Sequence, residues 1–157
     1  DDAAEQALAV AALSWLRELV NGVDTRVYHY SDYEVVRLQR LAEAYFAAVD
    51  RMDLAATLAC FTPDARFTIT TYDTVYQGRD TGLRGMFERL NARYARVWHG
   101  DFDHVVQAPD RIASRFRVEN LGHDGVKRVK NNCNFFRLEG ERFSEVFVYM
   151  SGDNSLS

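Results

Sequence analysis

Cysteine is scarce in this chain, two residues in 157. Cys60 and Cys133 are too few for a disulfide framework or a cysteine metal site. Each stands among apolar residues, so each reads as a buried free thiol, which fits a reducing, cytoplasmic setting. Blocks of positive charge are also missing. The net charge is −4 with both signs interspersed, so no stripe tracks a phosphate backbone, and a nucleic-acid partner is not expected. The nearest thing, Lys127-Arg128-Val129-Lys130, reads as an exposed strand. No apolar run approaches the roughly 20 residues of a membrane span. The opening Asp1-Asp2-Ala3-Ala4-Glu5 lacks the positive start of a secretory signal. Glycine-rich phosphate loops and nucleophile elbows are absent too. His29, His99 and His123 show no metal spacing with each other or with a carboxylate. Neither metal nor cofactor is expected.

What the chain does have is aromatic residues, 13%, mostly ten Phe and eight Tyr. These suit strands and pocket walls. The length fits one domain with a real core.

Helical spacing comes first along the chain. Leu8, Ala12, Trp15 and Leu19 predict a helix over residues 3 to 20, closed by Asn21-Gly22. Val27 to Tyr30 reads as a short extended crossing. Ser31 or Asp32 caps a second helix, with Val35, Leu38, Leu41 or Ala42, Tyr45, Val49 and Met52 on one stripe. Asp53 caps a short helix, with Leu54, Leu58 and Phe61 on one face, and Pro63 is expected to stop it. Arg66 to Tyr72 alternates as a strand. A further helix is predicted from about Asp80 to Val97, with Trp98-His99-Gly100 at its end.

From Asp101 the period becomes two. Phe102–Gln107, Ile112–Glu119, Val126–Leu138 and Phe143–Met150 read as strands. Their turns are Ala108-Pro109-Asp110, His123-Asp124-Gly125 and Glu139-Gly140-Glu141. Helices followed by antiparallel hairpins predict an α+β fold, with helices on one face of a curved sheet. Such a sheet encloses a cone, whose mouth is a natural ligand site.

Two stretches carry a family resemblance: Ala44-Tyr45-Phe46-Ala47-Ala48-Val49-Asp50-Arg51-Met52-Asp53-Leu54 and Leu58-Ala59-Cys60-Phe61-Thr62-Pro63-Asp64-Ala65-Arg66-Phe67. Tyr76-Gln77-Gly78-Arg79-Asp80 and Asn134-Phe135-Phe136-Arg137-Leu138-Glu139-Gly140 extend it. The chain resembles the nuclear transport factor 2-like superfamily in its SnoaL-like branch, over about residues 33 to 152. The resemblance implies a cone-shaped, mostly antiparallel sheet wrapped around helices. On that reading residues 1–157 are one domain, with 1–31 a helical N-terminal extension. It also implies a homodimer through the sheet. It does not choose a function, because the superfamily holds enzymes and binding modules alike.

Candidate residues follow from the resemblance. In members similar to scytalone dehydratase a histidine at the strand position of His104 faces the ligand, and Phe102 shares its face. A pocket histidine can move a proton near neutral pH. Asp50, at the end of the long helix, could orient that histidine. Tyr45 aligns with the oxyanion donor of ketosteroid isomerases. Asn134, with Asn132 on the same strand face, could bind a ligand oxygen. Phe102, Phe116, Ile69 and Trp98 are the expected apolar walls. Each has a structural alternative: a satisfied histidine, an exposed carboxylate, a core aromatic, a pair of structural amides.

Departures limit the transfer. Ile69 stands where ketosteroid isomerases carry an acidic base. Phe116 stands at the second pocket histidine of scytalone dehydratases, and Val49 at one of their tyrosines. The expectation is a cofactor-independent dehydratase, isomerase or cyclase acting on a small apolar or polyketide-like molecule. The alternatives are a non-catalytic ligand-binding or dimerisation module, and the small subunit of an aromatic-ring dioxygenase.

Overall fold

The computed structural model describes residues 32–157. The predicted helix over 3 to 20, the crossing at Val27–Tyr30, the extension 1–31 and His29 lie outside them.

Helix α1 spans Asp32–Asp50. Leu38, Ala42, Tyr45 and Val49 of the predicted stripe are buried, and Phe46 and Ala48 are buried beside them. The apolar face is wider than the stripe because the sheet curls around the helix. Met52, at φ 53°, turns the chain. Asp53 then caps α2, Leu54–Ala59, by accepting from the Ala56 amide at 3.0 Å.

Pro63 is not the stop of that helix. The helix ends at Ala59 and strand β1 runs Phe61–Ile69. Pro63 sits inside the strand, where pairing with β6 breaks between Phe61 and Arg66. A residue without an N–H is tolerated at such a bulge. A short helical turn, Thr70–Tyr72, leads to β2, Thr74–Gln77.

The second correction is larger. The chain is helical from Gly78, first as a π-helix to Leu83 and then as helix α3, Arg84–Arg93, so the helix ends earlier than expected. Strand β3 begins at Tyr94 and runs to Gln107. Tyr94 continues the helical stripe of Leu83, Met86, Phe87 and Leu90, and all five are buried. Its burial therefore suited either reading. Trp98-His99-Gly100 lies within the strand and not at a helix end.

Strands β4, Arg111–Gly122, β5, Lys127–Glu139, and β6, Arg142–Met150, complete the sheet. Gly125 and Gly140 take positive φ in the two hairpin turns, where L side chains are disfavoured. The sheet order is β2-β1-β6-β5-β4-β3. Only β1 and β6 pair in parallel. The result is an open, curved sheet around the helices, with Phe61, Phe67, Phe116, Phe136 and Phe143 in the core.

One bulge sets the phase of β3. Its pairing with β4 shifts between Gly100 and Asp103, and Asp101 has φ 54°. His99 and His104 are an odd number of residues apart, which simple alternation sends to opposite faces. The bulge adds a residue, so both face inward, opposite Val118 and Ser114.

Beyond β6, residues 151–157 cross the mouth of the cone as a strap. Its backbone carbonyls are held by side chains from other elements. Tyr72 donates to Gly152, Lys130 to Asp153, Arg93 to Asn154 at 3.2 Å, and Tyr76 to Leu156 at 2.9 Å.

Candidate functional site

Inside the cone, one cavity is lined by Tyr45, Phe46, Val49, His99, Phe116, Asn120, Asn132 and Asn134, among others. Ser155 and Leu156 of the strap are among its walls. Its volume is about 40 Å³, room for roughly two or three waters.

Asp50 reaches this cavity through His99. Its Oδ1 lies 2.6 Å from His99 Nδ1, and its Oδ2 accepts the His99 backbone N–H at 3.0 Å. A carboxylate has no proton to give, so Nδ1 donates, and in the neutral ring Nε2 is then the acceptor. Both residues are mostly shielded, with side-chain exposures of 11% for His99 and 23% for Asp50. A carboxylate-held imidazole with a free Nε2 is the arrangement of a general base. Asp50 thus orients His99 and not His104, as the sequence reading had it.

His104 occupies a separate polar row. Its Nδ1 lies 2.8 Å from Ser114 Oγ, and its Nε2 is buried without a partner. Burial lowers its pKa from the usual value, partly offset by Glu43 and Asp103. Phe102 stacks on the His104 ring at 5.2 Å, and Phe46 packs 4.9 Å from Phe102 and 4.6 Å from Phe116. Neither His104 nor Phe102 of this phenylalanine wedge lines the His99 cavity, whereas Asn134, in the same cross-strand row as His104 and Ser114, does.

Tyr45 is at the cavity, ringed by Phe46, Phe61, Phe87, Phe136 and Phe143. Burial raises its pKa well above the ordinary range, with Cys60 and Asp50 adding to the effect. The hydroxyl therefore stays neutral and available as a donor.

Asn132 and Asn134 line the cavity as a pair on β5, joined by Asn120 from β4. All three carry a buried Oδ1 with no hydrogen-bond partner. An orphaned buried amide oxygen is costly, so it marks a place where water or ligand completes the structure. Phe116 is a wall of the cavity. Ile69 is fully buried elsewhere in the core, and Trp98 is 39% exposed; neither lines the cavity.

His99 and Asn120 are the residues sequence reasoning missed. The helix drawn to Val97 and the bulge at Asp101 hid His99. Among the described residues no group of three metal-ligating side chains gathers. None of their helices is long and apolar enough to cross a membrane.

The SnoaL-like domain family model matches residues 42–146, and the chain belongs to that family. Solved structures agree on the fold. A candidate polyketide cyclase from Xanthomonas campestris is 22% identical, covers 73% of this chain and 90% of its own, and superposes with a TM-score of 0.66. An NTF2-like protein from Anabaena variabilis is 16% identical over 83% of this chain and 98% of its own, TM-score 0.67. A candidate aromatic ring hydroxylase from Novosphingobium aromaticivorans is 25% identical over 80% and 96%, TM-score 0.65. No curated protein matches the sequence significantly.

Proposed function

We infer that the protein binds a small cyclic, largely apolar molecule in the cone and moves a proton on it with His99 as the base. The observation that carries this reading is the double hold of Asp50 on His99, at Nδ1 and at the backbone N–H. It fixes one tautomer and supports the imidazolium that forms. Tyr45, Asn132 and Asn134 stand around the same cavity. The tyrosine can donate to a developing oxyanion, and an asparagine can turn its amide to do so. Proton removal next to a carbonyl is the step shared by dehydration, isomerisation and aldol-type cyclisation. A neighbour's name as a candidate polyketide cyclase supports that substrate class.

The test is hydrogen–deuterium exchange at the α-carbon of 2-tetralone in D2O, followed by NMR. The wild type is expected to exchange faster than buffer, and His99→Gln to fall to the buffer rate. Exchange unaffected by His99→Gln contradicts the reading.

The small volume of the cavity, about 40 Å³, favours a second reading: a filled cone in a non-catalytic module. On that reading 2-tetralone does not bind. The name of the Novosphingobium neighbour as a candidate aromatic ring hydroxylase keeps the oxygenase-subunit reading, which requires a large partner chain.

The outer sheet face supports a homodimer. Val105, Phe135 and Tyr149 are 66%, 46% and 46% exposed. With Phe147 and Arg137 they line an open groove of about 520 Å³. A contiguous exposed apolar face of this kind marks an interaction surface. The free thiols of Cys60 and Cys133 suit a reducing compartment such as the cytoplasm.

A further inference from the structure

Lys130 is only 6% exposed, yet its ammonium donates to a neutral acceptor, the Asp153 carbonyl of the strap. No carboxylate pairs with it among the described residues. Burying an ammonium without a counter-charge is costly. Two arginines stand near it. Arg93 donates to the next strap carbonyl, Asn154, and Arg128 reaches only Asp124, at 3.9 Å. Burial lowers the Lys130 pKa; the nearby Asp153 carboxylate opposes this, and Arg93 and Arg128 add smaller downward pushes. At this corner three cations, Lys130, Arg93 and Arg128, stand with two carboxylates, Asp153 and Asp124, neither of them within ion-pair distance of Lys130.

Register fixes where that charge would act. His99 pairs with Val118, and Val118 with Lys130. The three residues form one cross-strand row on the inward face. Two strand spacings separate the His99 and Lys130 backbones, about 10 Å. Val118 between them lines the cavity, as do Asn120 and Asn132 in the flanking rows. A planar ring system lying over Val118 spans that gap.

We propose that Lys130 anchors the carboxylate of a one- or two-ring cyclic acid whose far edge lies at His99. The carboxylate takes the place of the Asp153 carbonyl, and Ser155 and Leu156 leave the cavity. The strap thus stands in for the ligand, with a carbonyl on the ammonium and the Leu156 side chain in the apolar space. The orphaned Asn120 and Asn132 oxygens accept from ring hydroxyls or from water at the ring edge. The inference rests on the cone being a ligand site and narrows it from apolar cyclic molecules in general to acids.

The experiment compares 2-naphthoate with 2-naphthamide by isothermal titration. The two share shape and differ in charge. The wild type is expected to prefer the acid by about tenfold or more, as a charge-assisted bond at a shielded site requires. Lys130→Met is expected to abolish the preference while still binding the amide, and Lys130→Arg to keep part of it. The wild-type comparison needs no variant, so it stands even if Lys130→Met fails to fold. Equal binding of both probes by the wild type overturns the carboxylate anchor and leaves the cone reading intact. Binding of neither overturns both. A preference that survives in a folded Lys130→Met assigns the charge to another residue and also overturns the proposal.

Discussion

Replacing Asp50 by Asn tests the His99 clamp without knowledge of the substrate. The carboxylate now accepts two hydrogen bonds, from Nδ1 at 2.6 Å and from the backbone N–H at 3.0 Å. Asparagine keeps one acceptor oxygen and gains an NH2 donor. If the oxygen keeps the backbone N–H, the NH2 faces Nδ1. The neutral ring must then accept at Nδ1 and carry its proton on Nε2, pointing into the cavity. The lost charge-assisted bond is worth about 1.5–3 kcal/mol, and the amide bond that replaces it recovers part of this. The net cost is about 1–2 kcal/mol, or a fall of roughly 2–8 °C in Tm for a domain of this size. Long-range 1H–15N correlation at alkaline pH reads the tautomer directly. Wild type is expected to show the proton on Nδ1, and Asp50→Asn on Nε2, with any exchange activity lost beyond what stability explains. A wild-type ring protonated at Nε2, or an unchanged tautomer in Asp50→Asn, refutes the clamp.

Three further outcomes are expected. The folded state lowers the His104 pKa by burial, so the unfolded chain binds the proton more readily. Stability should therefore be full above the ordinary pKa of 6.5 and be lost as pH falls through the lowered folded value; denaturation of wild type and His104→Gln across that window should show the variant with a smaller loss. Phe116, 1% exposed, packs against Phe46 and His99; Phe116→Ala should cost about 3–5 kcal/mol by urea denaturation, and a cost under about 1 kcal/mol would mean the wedge is loosely packed. Phe135→Glu on the outer sheet face should turn a dimer into a monomer in sedimentation velocity; an unchanged sedimentation coefficient would contradict the sheet interface.

The sequence disclosed the architecture through local signals. The α1 stripe, the Asp53 cap and the β4–β6 hairpins all rest on neighbouring residues, and all appear in the structure. Two features resisted. The helix-to-strand switch at Tyr94 is hidden because that tyrosine is buried in either conformation. The bulge at Asp101 is set by pairing with β4 and has no local mark, yet it decides that His99 and His104 share a face. Alternation counted back from Phe102 and His104 therefore selects the wrong partner for Asp50. The strap was invisible for the same reason. Its carbonyls are held by Tyr72, Tyr76, Arg93 and Lys130, all distant in sequence.

The central claim is that the cone opens to a ligand at His99. A crystal structure of the protein with 2-tetralone tests it most directly. The account predicts the ring over Val118, its α-carbon within reach of His99 Nε2, its carbonyl against Tyr45, Asn132 or Asn134, and Ser155 and Leu156 displaced. A closed cone at saturating ketone, with the strap still seated and the asparagine oxygens filled only by water, would contradict it.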